Sequence, residues 1–277
     1  MEKRILNTQI HLQTILAQRP LGLVFDIDGT LSPIAPTSDQ ARLYPGVVPL
    51  LERAREHARI AIMTGRAIDD GAAMLNLEGL TYIGTHGLEW SEGLPWSHPI
   101  EIVPEALDYY GPGKYLLDLV EKQLSDLPGV IIQRKRVGGS IHYRLSPNPI
   151  QTRQKLLSLL EEPARQVNMS LSEGKQIVEV RVPLPIHKGY ALRQFAQRFS
   201  LHALVFAGDD RTDLDALLET TRMRKEGITT LAIVVQHPDT LPELLQHADI
   251  TVQGVPGMVE LLREMVEALE RMGRQDS

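Results

Sequence analysis

The stretch LGLVFDIDGT, residues 21–30, runs from an apolar segment into two acids two positions apart, then a glycine and a threonine. Leu21–Phe25 is a short continuous apolar run after Pro20, the pattern of a strand buried on both faces. Four more runs repeat the arrangement. Arg59–Met63 ends at Thr64-Gly65-Arg66, and Leu80–Ile83 ends at Gly84-Thr85-His86-Gly87. Ala203–Ala207 ends at Gly208-Asp209-Asp210, and Thr230–Val235 ends at Gln236-His237-Pro238. Helical patterns at Pro49–His57, Lys188–Phe199 and Leu214–Arg222 lie between them. The alternation predicts an α/β protein with a mainly parallel, Rossmann-like sheet.

The middle of the chain has a different rhythm. Val130–Val137 and Ser140–Ser146 are β-like and separated by Gly138-Gly139, which reads as a two-residue hairpin turn. A helical segment, Pro149–Val167, follows, then β-like Met169–Ser172 and Gln176–Val182. This order predicts a small antiparallel sheet with helices on one face, an α+β domain inserted at 105–182. Residues 1–104 and 183–277 would form the core domain. The insert is mildly basic and the remainder acidic, which suits an anionic substrate.

Composition narrows the function. The 277 residues are 43% hydrophobic and 23% charged, with a net charge of −6, as in an ordinary folded protein. A mildly acidic chain does not favour nucleic-acid or anionic-membrane binding. The absence of cysteine excludes disulfides, thiolate metal sites and cysteine nucleophiles. No apolar run is long enough to span a bilayer. The start, MEKRILNTQIHLQTILAQ, reads as an amphipathic helix rather than a signal peptide, so a cytoplasmic protein is expected.

Chemistry concentrates where the runs end. Asp26 and Asp28 follow the first strand, Thr64 the second, and Asp209 and Asp210 the fourth, while Lys188 opens the helix before the fourth. Ligands of open α/β sheets bind at these strand ends. Clustered carboxylates repel one another unless a cation joins them. Oxygen-only donors without cysteine or paired histidines favour Mg2+ over zinc. A carboxylate beside such a cation can attack a phosphoryl group in line. A second carboxylate two residues on can protonate the leaving oxygen and then activate water. Thr64 and Lys188 would neutralise the transferring oxygens. Taken singly, each motif could be an ordinary turn or cap. Their joint occurrence in order argues for a site.

These motifs, FDIDGT (25–30), MTGR (63–66), HKGYAL (187–192) and GDDRTDLDA (208–216), resemble those of the haloacid dehalogenase superfamily of phosphatases. Within it, GTHGLEW (84–90), SIHYR (140–144) and EVR (179–181) are similar to the trehalose-6-phosphate phosphatase family, over about Leu21 to Gly257. The resemblance implies strand order 3-2-1-4-5, with the insert as a cap placed after strand three. It implies Asp26 as nucleophile and Asp28 as general acid and base. Mg2+ would be held by the Asp26 side chain, the Asp28 carbonyl and Asp209, with Asp210 and Asp213 in support. Gly65, Arg66, Lys135, Arg144, Lys175 and Glu179 would contact a sugar-phosphate substrate. Counted across the two-residue turn, Lys135 and Arg144 fall diagonally on one face. His86 and Glu89 would brace their loop. A monomer is expected, with a functional link to a trehalose-phosphate synthase. Gln133, Ile177 and Leu214 depart from the family pattern, where Glu, Asn and Glu are usual. Alternatives are a phosphatase for glucosyl- or mannosyl-phosphoglycerate, a sugar phosphomutase, or a non-catalytic sugar-phosphate sensor.

Overall fold

The computed structural model describes residues 12–124, 127–174 and 176–275. It divides into two compact units, 1–101 with 186–277 and 102–185. The sequence boundaries at 104/105 and 182/183 differ from these by three residues at each junction. Of the expected amphipathic N-terminal helix, residues 12–16 are helical and 1–11 lie outside the described residues.

The larger unit is built on an eight-stranded sheet, the two outermost strands on one side being short additions. Its strands are β1 (Leu21–Phe25), β2 (Arg59–Met63), β3 (Thr81–Gly84), β4 (Glu89–Glu92), β5 (Glu101–Ile102), β10 (Ala203–Gly208), β11 (Thr229–Gln236) and β12 (Ile250–Gln253). They lie in the order β12-β11-β10-β1-β2-β3-β4-β5. The five sequence-predicted strands keep the expected order within this sheet and pair in parallel. Parallel β12 extends one edge, and β4 turns back antiparallel on β3. The insert therefore follows β4 and β5 rather than β3 directly.

Alternation along each strand feeds two cores. Leu21, Leu23 and Phe25 of β1, Ile60 and Ile62 of β2, and Val205 of β10 point into one. That layer is closed by α1 (Val47–Ala54), α2 (Ile68–Leu75) and α8 (Gly254–Gln275). Val24, Ala61, Met63, Leu204 and Phe206 point into the other, under α5 (Lys188–Arg198) and α6 (Leu214–Lys225). Burial on both faces explains why these strands carry apolar runs instead of alternation. The short α7 (Pro242–Gln246) completes this unit.

The smaller unit has an antiparallel sheet, β6 (Ile131–Arg134), β7 (Gly139–His142), β9 (Ile177–Arg181) and β8 (Ser170–Gly174), in that order. Helices α3 (Tyr110–Leu124) and α4 (Pro149–Gln166) pack on one face through Leu116, Val120, Leu156 and Leu160 against Ile141, Val178 and Val180. The hairpin corrects the expected turn. Arg134 pairs with Gly139 and Gln133 with Ser140, so residues 135–138 form a four-residue loop closed by Lys135 N–H donating to Gly138 O at 3.2 Å. Gly138 supplies the left-handed residue (φ 74°). Gly139 serves packing: a Cβ there would stand 2.7 Å from Leu117 Cδ1 of α3. Lys135 thus sits in the loop, and Arg144 lies exposed beyond the end of β7, not diagonal to it.

Leu23 is fully buried in the central strand. Leu23→Ala is expected to cost about 2–5 kcal/mol, whereas truncating exposed Ile150 to Ala should stay within about 0.5 kcal/mol. Urea unfolding midpoints check this. Equal effects from both changes would contradict the layered core.

Candidate active site

Every carboxylate at the centre of the larger unit sits just past the C-terminal end of a parallel strand. Asp26 continues β1, its N–H bonded to Ala207 O of β10 at 3.0 Å. Asp209 continues β10. Between these loops stands Lys188, the first residue of α5, which is 2% exposed. Its Nζ donates to Asp26 Oδ1 and to Asp213 Oδ1, both at 2.7 Å. Asp213 Oδ2 in turn accepts the Asp209 and Asp210 amides at 2.9 and 3.0 Å. Asp210 Oδ1 accepts from Thr212 N–H and Oγ1 at 2.8 and 2.7 Å, closing a capping box at the start of the turn before α6.

The loop after Asp26 is shaped by Gly29. Its φ of 84° is left-handed, and a Cβ there would come 2.1 Å from Asp209 Oδ2. Only glycine lets the loops after β1 and β10 approach this closely. Thr30 Oγ1 completes the contact with Asp209 Oδ1 at 3.4 Å. Asp28 points elsewhere: Arg66 Nε and Nη2 grip its two oxygens at 2.6 and 2.7 Å, and Arg66 Nη1 donates to Ser38 O at 2.9 Å. Thr64 is buried, and its Oγ1 accepts the Arg66 amide at 3.2 Å. Gly65 packs against the His86 ring, and Glu89 Oε2 accepts Ile68 N–H at 2.8 Å at the head of α2. His86 and Glu89 therefore do brace this loop.

Asp26, Asp209 and Asp213 offer oxygens that all lie within 4.8 Å of one another, and all three side chains are buried. This donor set suits a hard cation. The charge balance points the same way. Burial pushes the Asp26 carboxyl well up, against the pull of Lys188, and Asp213 and Asp210 add to the rise. Burial and the Asp26 charge do the same to Asp209. Burial also raises Asp213 against Lys188. Burial works against the Lys188 charge, but Asp213 and Asp26 outweigh it and lift its pKa. One ammonium is thus surrounded by more buried carboxyls than it can neutralise. Asp210 differs in being open to solvent. Its crowded surroundings push it up, yet Lys188 and the Thr212 hydrogen bonds hold it below the ordinary range.

In the smaller unit, one row across the sheet is Gln133, Ser140, Glu179 and Ser172. Glu179 Oε1 accepts from Lys135 Nζ at 3.1 Å and from Ser140 Oγ at 3.2 Å. Lys135 and Glu179 are therefore brought together. Arg144 is outside this row, and Lys175 lies outside the described residues. Ser140 and Thr30 were not singled out by sequence, nor was His237, whose Nε2 donates to Gly29 O at 2.7 Å.

A parallel sheet in this strand order, with Asp26, Asp28, Thr64, Lys188 and Asp209 at its carboxyl edge, defines a haloacid dehalogenase-type phosphatase core. The family model described as Trehalose-phosphatase matches residues 24–241, so the chain belongs to the trehalose-phosphatase family. Trehalose-phosphate phosphatase of Mycobacterium leprae is 28% identical over 254 residues, covering 86% of this chain and 57% of that protein. That of Mycobacterium avium is 29% identical over 230 residues, covering 81% and 56%. The chain spans just over half the length of these curated relatives. Among solved structures, a trehalose-6-phosphate phosphatase related protein superposes with a TM-score of 0.74 at 26% identity, covering 92% of this chain and all of that one. The C-terminal domain of C. albicans trehalose-6-phosphate phosphatase shares the fold, with a TM-score of 0.77 at 18% identity, covering 94% and 97%. Among the described residues no helix is long and apolar enough to cross a membrane.

The raised carboxyls make stability depend on pH. The folded state holds protons that the unfolded chain releases, so stability falls as pH rises above the unfolded carboxylate range towards the folded values. Cation-free protein should melt roughly 3 °C or more lower at pH 7.5 than at pH 5.5. Millimolar divalent cation, binding only the folded state, should narrow that gap. Scanning calorimetry checks this, and a melt that rises over the same interval would contradict the surplus of buried negative charge.

Proposed function

We propose that the chain is a magnesium-dependent phosphatase that hydrolyses trehalose 6-phosphate to trehalose and inorganic phosphate through an aspartyl-phosphate intermediate. The observation that carries this reading is the Asp26 carboxylate. One oxygen is fixed by Lys188 at 2.7 Å, and the group sits beside Asp209 at the end of the central strand. The relatives' names support the sugar. Mg2+ would be held by the Asp26 side chain, the Asp28 backbone carbonyl and Asp209, and when bound it neutralises charge on the phosphoryl oxygens.

The chain's own residues do the rest. Asp26 attacks phosphorus in line, and the bond from phosphorus to the sugar oxygen breaks as that oxygen takes a proton from Asp28. Water then attacks the acyl phosphate, giving its proton to Asp28, and the bond from phosphorus to Asp26 breaks. Lys188 and Thr64 oppose the charge that develops on the transferring group. Gly65 and Arg66 receive the phosphoryl group, with Arg66 exchanging the Asp28 carboxylate for phosphoryl oxygens. Lys135 and Glu179 recognise sugar hydroxyls. A charged acceptor flanked by Ser140 and Ser172 suits a polyol better than an apolar leaving group.

Phosphate release from a panel of sugar phosphates, with and without magnesium, tests the reading. Trehalose 6-phosphate should be the best substrate, and exhaustive chelation should abolish turnover. Asp26→Asn is expected to fold and to retain less than about one part in a thousand of the activity, since an amide is a poor nucleophile. A folded variant keeping a tenth of wild-type turnover would remove Asp26 from the role.

Glu179→Ala separates recognition from chemistry. It is expected to lower kcat/KM for trehalose 6-phosphate roughly 100-fold, the scale for losing a charged hydrogen-bond partner, while p-nitrophenyl phosphate changes far less. Equal losses on both substrates would show that Glu179 does not read the sugar.

A further inference from the structure

We infer that His237 is a positioning residue that fixes the Gly29 turn following Asp28, and through it the divalent-cation site. The inference rests on the phosphatase reading but goes beyond it. His237 is the first residue after β11, two strands away from β1 in the sheet. Its ring reaches past the end of β10 to the Gly29 carbonyl, with Nε2 and O separated by 2.7 Å. A carbonyl oxygen only accepts, so Nε2 carries the proton. The ring's own anchor is set by the His237 amide, which donates to Thr240 Oγ1 at 2.7 Å.

What this bond fixes follows from Gly29. The Gly29 N–H donates to Ser32 O at 2.7 Å, and the His237 ring holds the Gly29 carbonyl, so both peptide groups flanking this residue are pinned. Gly29 is the one position in the loop with a left-handed φ, 84°, and glycine is the residue freest to leave such a conformation. The Asp28–Gly29 peptide is planar and trans, so pinning its N–H also sets the direction of the Asp28 carbonyl. That carbonyl is one of the oxygens proposed to hold the cation. His237 Nε2 also lies 3.8 Å from Asp209 Oδ2, so the clasp closes over a second proposed ligand. Releasing it would leave the Gly29 turn, and with it the Asp28 carbonyl, pinned on one side instead of two, through the Gly29 N–H bond to Ser32 O, while Asp26 stays fixed by β1 and Lys188.

The test compares side chains of similar length that differ in the donor. His237→Gln keeps an N–H able to reach the carbonyl, and His237→Met does not. Mn2+ affinity, read by electron paramagnetic resonance without substrate, should weaken about tenfold in His237→Met and recover to within about threefold in His237→Gln, the scale of one hydrogen bond. With a phosphate ester at saturating Mg2+, His237→Met should lower kcat about tenfold with little change in KM. Thr240→Val, which loosens the ring but keeps the donor, should fall between wild type and His237→Met, and decides the matter if His237→Met does not fold. Wild-type Mn2+ affinity in His237→Met or, if that variant does not fold, in Thr240→Val overturns the inference, as does an equal defect in His237→Gln and His237→Met. A wild-type protein that binds Mn2+ but cleaves no phosphate ester would overturn the phosphatase reading and leave the affinity comparison to judge His237.

Discussion

The Lys188 ammonium, almost wholly buried and bonded to Asp26 and Asp213 at 2.7 Å each, is the interaction around which the larger unit is organised. A buried charge is tolerable only when paired and hydrogen-bonded. Satisfying this one ties three distant segments together: the end of β1, the start of α5 and the turn before α6. The sheet brings these ends to one edge because its strands are parallel, and its strands are apolar because both faces are buried. The cost of gathering Asp26, Asp209 and Asp213 is a surplus of negative charge. That surplus is the charge that the proposed divalent cation would offset.

Rigid and adjustable parts are separated within this arrangement. Asp26 is held by strand pairing and by Lys188. Asp28, two residues on, is held by a side chain, the bidentate grip of Arg66. The nucleophile role proposed for Asp26 needs a fixed aim, which a strand end supplies. The acid and base role proposed for Asp28 needs reach to two different oxygens in succession, which an exchangeable side-chain contact allows. In the smaller unit Glu179 is gripped in a similar exchangeable way, by Lys135 and Ser140, on a sheet whose other face is fixed by α3 and α4.

The five central strands were legible because burial on both faces writes an uninterrupted apolar run, and the acids were legible because they follow those runs at short spacing. The edge strands were not. β12 reads ITVQ at one edge, and at the other β4 reads EWSE just inside the two-residue β5; both are too polar to stand out. The hairpin was misread because Gly138-Gly139 looks like a turn, while Gly139 is a paired strand residue with Gln133 O and Leu117 of a neighbouring helix crowding the space of a Cβ. No local pattern reports such a requirement. The same reason hid His237 and Thr30: each meets its partner across some 200 or 180 residues of sequence. His237-Pro238 after a strand looks like an ordinary stop.

Asp213 shows how geometry refines a list of candidate ligands. It lies among the three clustered acids, yet both of its oxygens are already engaged. Oδ1 accepts from Lys188, and Oδ2 accepts from the amides of Asp209 and Asp210. Turning either oxygen to a cation would take from the buried ammonium one of its two carboxylate partners, or leave two backbone N–H groups unpaired, each orphaned amide costing about 1–3 kcal/mol. Gly208 makes room for this arrangement, since a Cβ there would stand 2.3 Å from the Asp213 carboxyl carbon. Asp26 and Asp209 carry no such burden, because each is held through one oxygen and keeps the other for a ligand. Asp213 therefore serves the site by fixing the Asp209 backbone and sharing the Lys188 proton donors, and the cation proposed above would fall to Asp26 and Asp209.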